Sequence, residues 1–350
     1  MNALKYLFGY LIPLLAGVGI YFGGVFWSYS ALLLAFGIIP VLEFILPAPV
    51  NNPPVDANLT ATERRLFDWI LYLSVPIQYG LVAFLLLAVS REWYTNSIEL
   101  TGWVLSVGVS CGMLGINSAH ELGHRNKWYE KRFAQALLLT SLYLHFFIEH
   151  NRGHHRHVAT PHDPATARRG EIVYTFWARS IILSFLSAWR IEARRLSNLG
   201  MSPYGLRNQM WPFTLVQLAL LAGIYFTFGP AALLAFGLAA TVGFLLLETI
   251  NYVEHYGLAR RFDPIKNRYE KVQPHHSWNS NHLLGRLLLF ELPRHSDHHA
   301  FAERRYESLR HFDQSPQMPA GYPAMVLMAL VPPLWFSVMH RQIAQLQPAA

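Results

Sequence analysis

The sequence predicts an all-α, multi-pass membrane protein with six transmembrane helices and a histidine-rich cap on one side of the bilayer. Three observations predict it. The 350 residues are 53% hydrophobic and 14% charged, with a mean hydropathy of +0.22. Soluble domains carry about 25% charged residues, so this balance is too apolar for one. The apolar residues also fall in runs long enough to cross a bilayer core, which takes about 20 helical residues. Finally, all 17 histidines lie at or after His120, in the polar stretches between and behind those runs.

The first two runs, 4–24 and 25–46, meet at Gly23–Gly24 and read as a helical hairpin. No small-residue cleavage site ends the first, so it reads as a retained span. Runs 66–89 and 98–119 form a second hairpin around the short turn Arg91–Asn96, and runs 212–228 and 231–250 a third around Gly229–Pro230. Two shorter apolar runs, 134–148 and 324–339, do not read as spans. A crossing at 134–148 would put the histidines of 149–164 on the opposite side from His120 and His124, so that run is expected to be a helix that dips into the membrane without crossing. The run 324–339 carries Pro332–Pro333 and is expected to be buried or interfacial. The whole chain, 1–350, reads as one membrane domain, with cap regions at 120–211 and 251–350.

Orientation follows from the basic residues. Of 28 Lys and Arg, only Arg91 falls in a short turn. The positive-inside rule then places both termini and the long loops in the cytoplasm, and the protein in a bacterial inner membrane. The formal charge of +7 has the same origin, so nucleic acid is not an expected partner. The single cysteine, Cys111, lies in an apolar run; disulfides and thiolate metal sites are excluded.

Metal chemistry must therefore use nitrogen, and the histidines are spaced for it. His120 and His124 share a helix face. His150, His154 and His155 form a second set, His255 stands alone at the end of the last span, and His295, His298 and His299 form a fourth. Adjacent histidines on a helix point about 100° apart, so each pair can serve two ions. Nine histidines exceed one four-coordinate zinc site and suit two ions with open positions. His145, His157, His162, His275, His276, His282, His311 and His340 read as surface or supporting residues. Glu121, Glu149, Glu254 and Asp297 adjoin ligand candidates and are candidates to orient them. Glu248 joins them as an ionisable residue near the end of an apolar span. The pentapeptide HELGH at 120–124 also fits the zinc-protease pattern literally, and that reading stays open at this point.

The three clusters H-x3-H, H-x3-HH and H-x2-HH resemble the membrane-bound non-haem di-iron desaturases and hydroxylases. Together with NYVEHYGL at 251–258, EHNRGHH at 149–155 and LPRHSDHHA at 292–300, the chain resembles the integral-membrane alkane 1-monooxygenases, over about residues 117–319. The resemblance implies that the nine histidines bind two iron ions. It further implies hydroxylation of the terminal methyl of medium-chain n-alkanes to 1-alcohols by O₂, with electrons from rubredoxin and an NADH-dependent rubredoxin reductase. A fused rubredoxin needs four cysteines and the sequence has one, so the donor is expected to be a separate protein or a domain outside these 350 residues.

An alkane offers no polar handle, so its end must be selected by shape in an apolar channel, where burial is worth about 0.8 kcal/mol per CH₂. Val109, Met113 and Ile116 above His120, and Phe244 and Leu247 above His255, are the candidate lining. Arg152, Arg168, Arg169, Arg304 and Arg305 are candidates for docking an acidic donor. The nearest rival functions keep the metal and change the substrate: a xylene-type methyl hydroxylase or a fatty-acyl desaturase. A membrane metal transporter, the rival of another class, would need polar residues at mid-depth.

Overall fold

A computed structural model describes residues 2–54 and 59–346. The regular structure is almost wholly helical, the only strands among the described residues being the two-residue pair Phe262–Asp263 and Arg268–Tyr269. Four helices are long and apolar enough to cross a membrane: α1 (Ala3–Phe22), α3 (Ala61–Ser90), α4 (Ser97–Gly123) and α8 (Met210–His255). The shorter apolar helix α2 (Ser30–Ile45) follows α1 after Gly23 and Gly24, both at positive φ.

Helix α3 begins with a capping box, in which Thr60 and Glu63 satisfy each other's backbone donors. Helix α4 starts on Asn96, whose side chain accepts from the Glu99 N–H. The apolar run 98–119 is not interrupted before the histidines: α4 continues to Gly123, and His124 caps it. The first cluster thus sits on a membrane helix itself.

Helix α8 spans 46 residues, but Gly229 within it is not helical (φ 85, ψ 175). A straight helix of that length would part its ends by about 69 Å. Instead both ends lie beside the same segment. Phe213 packs edge-on against Phe147, ring centroids 6.4 Å apart, and His255 lies 4.8 Å from His154. The chain therefore folds back at Gly229, which alone can adopt that backbone cheaply before Pro230.

The run 134–148 is not one helix. It breaks into α5 (Trp128–Leu139) and α6 (146–157), with Leu142 in the left-handed region (φ 53) between them. The turn at Thr140 reaches Cys111, whose sulfur lies 3.7 Å from the Thr140 carbonyl. Cys111 is nine residues up α4 from His120, about 13.5 Å. The segment is a helical hairpin that packs beside α3 and α4 and returns its histidines to the level of His120. Helix α7 (Val173–Asn198) packs on α6 and α8, α9 (Leu283–Leu288) on α1 and α2, and α11 (Tyr322–Ala329) on α2, α8 and α12 (Pro332–Leu346); α10 (His295–Ala300) carries the last histidines.

Candidate metal centre

Two groups of buried or half-buried histidines lie side by side. His120, His124, His150, His155 and His298 form one; His154, His255, His295 and His299 form the other. Within each group the ring nitrogens that face inward all lie within 4.8 Å of one another. Neighbours in sequence part company: His154 and His155 go to different groups, as do His298 and His299. Their side chains leave the helix about 100° apart, so a single turn of backbone serves both.

A local distortion makes the second cluster work. Residues 150–154 form a π-turn, and the His155 N–H bonds to the His150 carbonyl, five residues back. In an ordinary α-helix residues five apart point about 140° apart; closing the turn at i to i+5 brings them onto nearly one face. His150 and His155 can then share one group, with Nε2 atoms 3.0 Å apart.

The inner nitrogens approach as ligands of one ion do. His124 lies 3.2 Å from His150, His155 3.1 Å from His298, His154 3.2 Å from His299 and His295 3.3 Å from His255, all between Nε2 atoms. At metal–nitrogen bonds of about 2.0–2.1 Å, neighbouring ligand atoms stand about 2.9 Å apart in an octahedron and about 3.3 Å in a tetrahedron. His120 Nε2 is buried with no hydrogen-bond partner, a costly state that an ion would relieve. Burial, and then the neighbouring histidines, push the pKa values of His150, His155, His295, His298 and His299 well below the ordinary value; burial holds His124 at about 3. The rings are neutral at pH 7, the form that binds metal. The donor set fits metal ions that accept imidazole, iron among them.

The outer ring nitrogens are oriented by residues from other elements. Asp163 stands 2.9 Å from His154 Nδ1, while Thr166 Oγ1 and the Ala165 N–H donate to the same carboxylate. This is the carboxylate–histidine pairing that fixes which nitrogen faces the ion. Ser277 Oγ lies 3.5 Å from His255 Nδ1. Glu254 is different: its Oε2 lies 3.1 Å from the inner nitrogen of His295, and Tyr322 donates to its Oε1. That carboxylate is at the edge of the four-histidine group.

The other expected carboxylates lie elsewhere. Asp297 faces Arg304 and the Arg310 N–H, because one helical step from His298 turns it away from the centre. Glu248 accepts from Tyr143 at 2.7 Å, and Glu149 from Ser187 at 3.4 Å. Glu121 binds Arg125 at 2.6 Å and accepts from the Tyr306 N–H, so it is not the base that a zinc protease would need beside HELGH. Asp163 is the residue sequence reasoning missed. Its signal was present in the Asx-type turn HDPAT, but a partner nine residues away on a different element is invisible to sequence adjacency.

Above the histidines lies a partly open, mostly apolar pocket with His120, His150, His295 and Glu254 in its lining. Met113, Ile116 and Leu247 line it, as do Gly112, Leu246, Ile250 and Val326. Val109 and Phe244 do not. Phe244 stacks on Tyr143, 5.1 Å away, and Val109 lies one turn too high. There α4 and the second half of α8 touch through glycines. A Cβ on Gly108 would meet Val242 at 2.5 Å, on Gly243 Cys111 at 2.6 Å, and on Gly112 Leu246 at 2.9 Å. Such small-residue contacts let helix backbones meet closely, and this one lies at and one turn beyond the Gly112 end of the lining. On α8 the lining takes in two neighbouring stripes, Leu246–Ile250–Glu254 and Leu247–Asn251, the second leading to His255.

An apolar pocket resting on two groups of converging histidines defines a class: membrane oxidoreductases of the fatty acid desaturase type. The profile of the Fatty acid desaturase family matches residues 98–341. An alkane 1-monooxygenase 1 of Pseudomonas aeruginosa is 42% identical over 91% of this chain and 83% of its own length, and one of Alcanivorax borkumensis 39% over 92% and 79%. The xylene/toluene monooxygenase hydroxylase component XylM of Pseudomonas putida is 30% identical over 97% and 89%. The chain belongs to the fatty acid desaturase family and, within it, to the alkane 1-monooxygenases.

Proposed function

We propose that the protein is a di-iron monooxygenase that hydroxylates the terminal methyl of medium-chain n-alkanes with O₂. The observation that carries this reading is the apolar pocket with His120, His150 and His295 in its lining. The nine histidines would hold the two ions, and bound iron would supply the activation of O₂. The protein's own part is to bind and aim. Met113, Ile116, Leu246 and Leu247 offer an alkane only apolar contact, worth about 0.8 kcal/mol per CH₂, and the glycine contact lies at the Gly112 end of that lining. The chain end is thereby held over the histidines. Asp163 keeps the inner nitrogen of His154 free of a proton, and the Glu254–Tyr322 pair places an acidic group in the same lining.

Six crossings, with the cap and both termini in the cytoplasm of a bacterial inner membrane, is the topology that accounts for four long apolar helices, the reversal at Gly229 and the shorter α2. Rubredoxin is the proposed electron donor. Of the basic residues considered for docking it, Arg152 is engaged with Glu192, Arg304 with Asp297, and Arg305 with Glu307 and Asp68. Arg168 and Arg169 are exposed and without an ion-pair partner among the described residues, and are the better candidates. Metal analysis with product analysis tests the proposal: about two irons per chain, and O₂-dependent 1-octanol from octane when a rubredoxin system is added. One zinc per chain, or desaturated acyl chains as the only product, would overturn it. Comparing octane with xylene in the same assay separates the alkane from the aromatic-methyl reading.

A further inference from the structure

We propose that a polar cleft beside His124 and an apolar groove above it form one binding site for an anionic phospholipid, in the leaflet on the histidine side. This goes beyond the oxygenase reading and does not depend on it. The cleft holds about 930 Å³ of empty space between α5, α6 and the start of α8. Arg125, Lys131, Arg132 and Arg152 line it, and no carboxylate does. Two of these cations are already compensated: Arg125 by Glu121 at 2.6 Å and Arg152 by Glu192 at 2.5 Å. The other two are not. Lys131 has no ion pair among the described residues, and Arg132 donates only to Gln135, at 2.8 Å. The cleft therefore carries two uncompensated positive charges.

The groove is its apolar continuation, with about 950 Å³ of empty space lined by Tyr79, Leu139, Phe213 and Val216 among others. Arg132, Gln135 and Gln209 line both spaces, so the two are contiguous. The groove runs in the direction an acyl chain would. From Arg132 to Leu139 and from Gln209 to Val216 is seven residues each, about 10 Å of helix rise away from the histidine level. At the junction Gln209 Oε1 is buried with no partner, an acceptor suited to a headgroup hydroxyl. Trp128, 76% exposed at the cleft rim, is the residue type that settles at a bilayer interface. Free phosphate would satisfy the cations and leave the groove empty. A zwitterionic lipid would fill the groove and bring its own cation to the positive end. Only a lipid with net negative charge matches both, and basic pockets between membrane helices are where such headgroups bind.

The test uses the full chain in nanodiscs of mixed phosphatidylglycerol and phosphatidylcholine, followed by native mass spectrometry of bound lipid. One phosphatidylglycerol should be retained in preference to phosphatidylcholine. The double substitution Lys131→Gln/Arg132→Gln should lower its retention at least about tenfold. Val216→Trp, which fills the groove without touching charge, should lower it too, with helix content and metal content unchanged in both variants. Equal retention of the two lipids, or normal retention in either variant, would overturn the proposal. So would displacement of the lipid by millimolar inorganic phosphate, which would make the site an ion site. Displacement by an equimolar long-chain fatty acid would do the same, because the occupant would then be a free carboxylate.

Discussion

The two histidine groups use one chemistry but are held in place differently. In the four-histidine group, side chains from other elements grip the rings: Asp163 on His154, Ser277 near His255, Glu254 and Tyr322 around His295. In the five-histidine group, no carboxylate touches a ring among the described residues. Orientation there comes from packing and backbone, with Phe146 stacked on His150 at 4.6 Å and the π-turn aiming His155. The five-histidine group also faces outward more, with His120 and His150 at the apolar cavity and His124 at the polar cleft. The difference teaches that a ring can be aimed by a hydrogen bond or by a helix. The first kind is loosened by changing one polar group, as at Asp163, the second only by changing the packing or the helix geometry, as at Phe146 or the π-turn.

The sharpest break is removal of a ligand from each group. His154→Ala and His120→Ala should each lose metal from one group and reduce alkane hydroxylation by more than the roughly 100-fold that loss of an outer partner costs. Metal content and alcohol yield, measured together, decide it; full activity in either variant would remove that group from catalysis. Next in size is Asp163→Asn. It should weaken metal binding about 10–100-fold in the four-histidine group alone. A chelator titration that shows equal loss from both groups would erase the distinction drawn here. On the cavity side, Ile116→Trp should shift preference toward shorter alkanes, with each excluded CH₂ costing about 0.8 kcal/mol, or roughly fourfold in selectivity. An unchanged product profile from mixed alkanes would separate the cavity from the substrate path.

The smallest effect is on the metal-free protein. His124 at about 3, and His150, His155 and His298 far below their ordinary value, stay neutral in the folded chain. The unfolded chain takes up protons as pH falls through about 6.5. Stability should thus be full above about pH 6.5 and decline below it, as linkage requires when the unfolded state binds more protons. Thermal melts of the stripped protein across that range check the sign. Metal-loaded protein should hold its melting temperature to lower pH.

Much of this was legible in the sequence. Helix periodicity gave His120 with His124, and the need to bring 149–164 back beside them gave a run at 134–148 that turns back, as it does at the break between α5 and α6. The helix step of about 100° foresaw that paired histidines would divide. What stayed hidden depends on contacts between elements. Asp297 looked like a partner because it adjoins His298, yet adjacency on a helix turns a side chain away. Asp163 does the work from a separate turn. Val109 lies on the stripe of His120, but the lining ends at Gly112, where glycines on α4 meet those on α8. A pattern in one helix cannot report that meeting.

The ligands come from four segments spread between His120 and His299, and this governs how the protein is made. The five-histidine group lacks His298, and the four-histidine group lacks His295 and His299, until the last of the apolar hairpins has already emerged from the ribosome. Every helix up to α8 must therefore find its place without metal. If the nine histidines hold the ions as proposed, loading would be a final step of biogenesis, joining pieces of chain made one after another. A truncation anywhere before residue 298 leaves both groups incomplete.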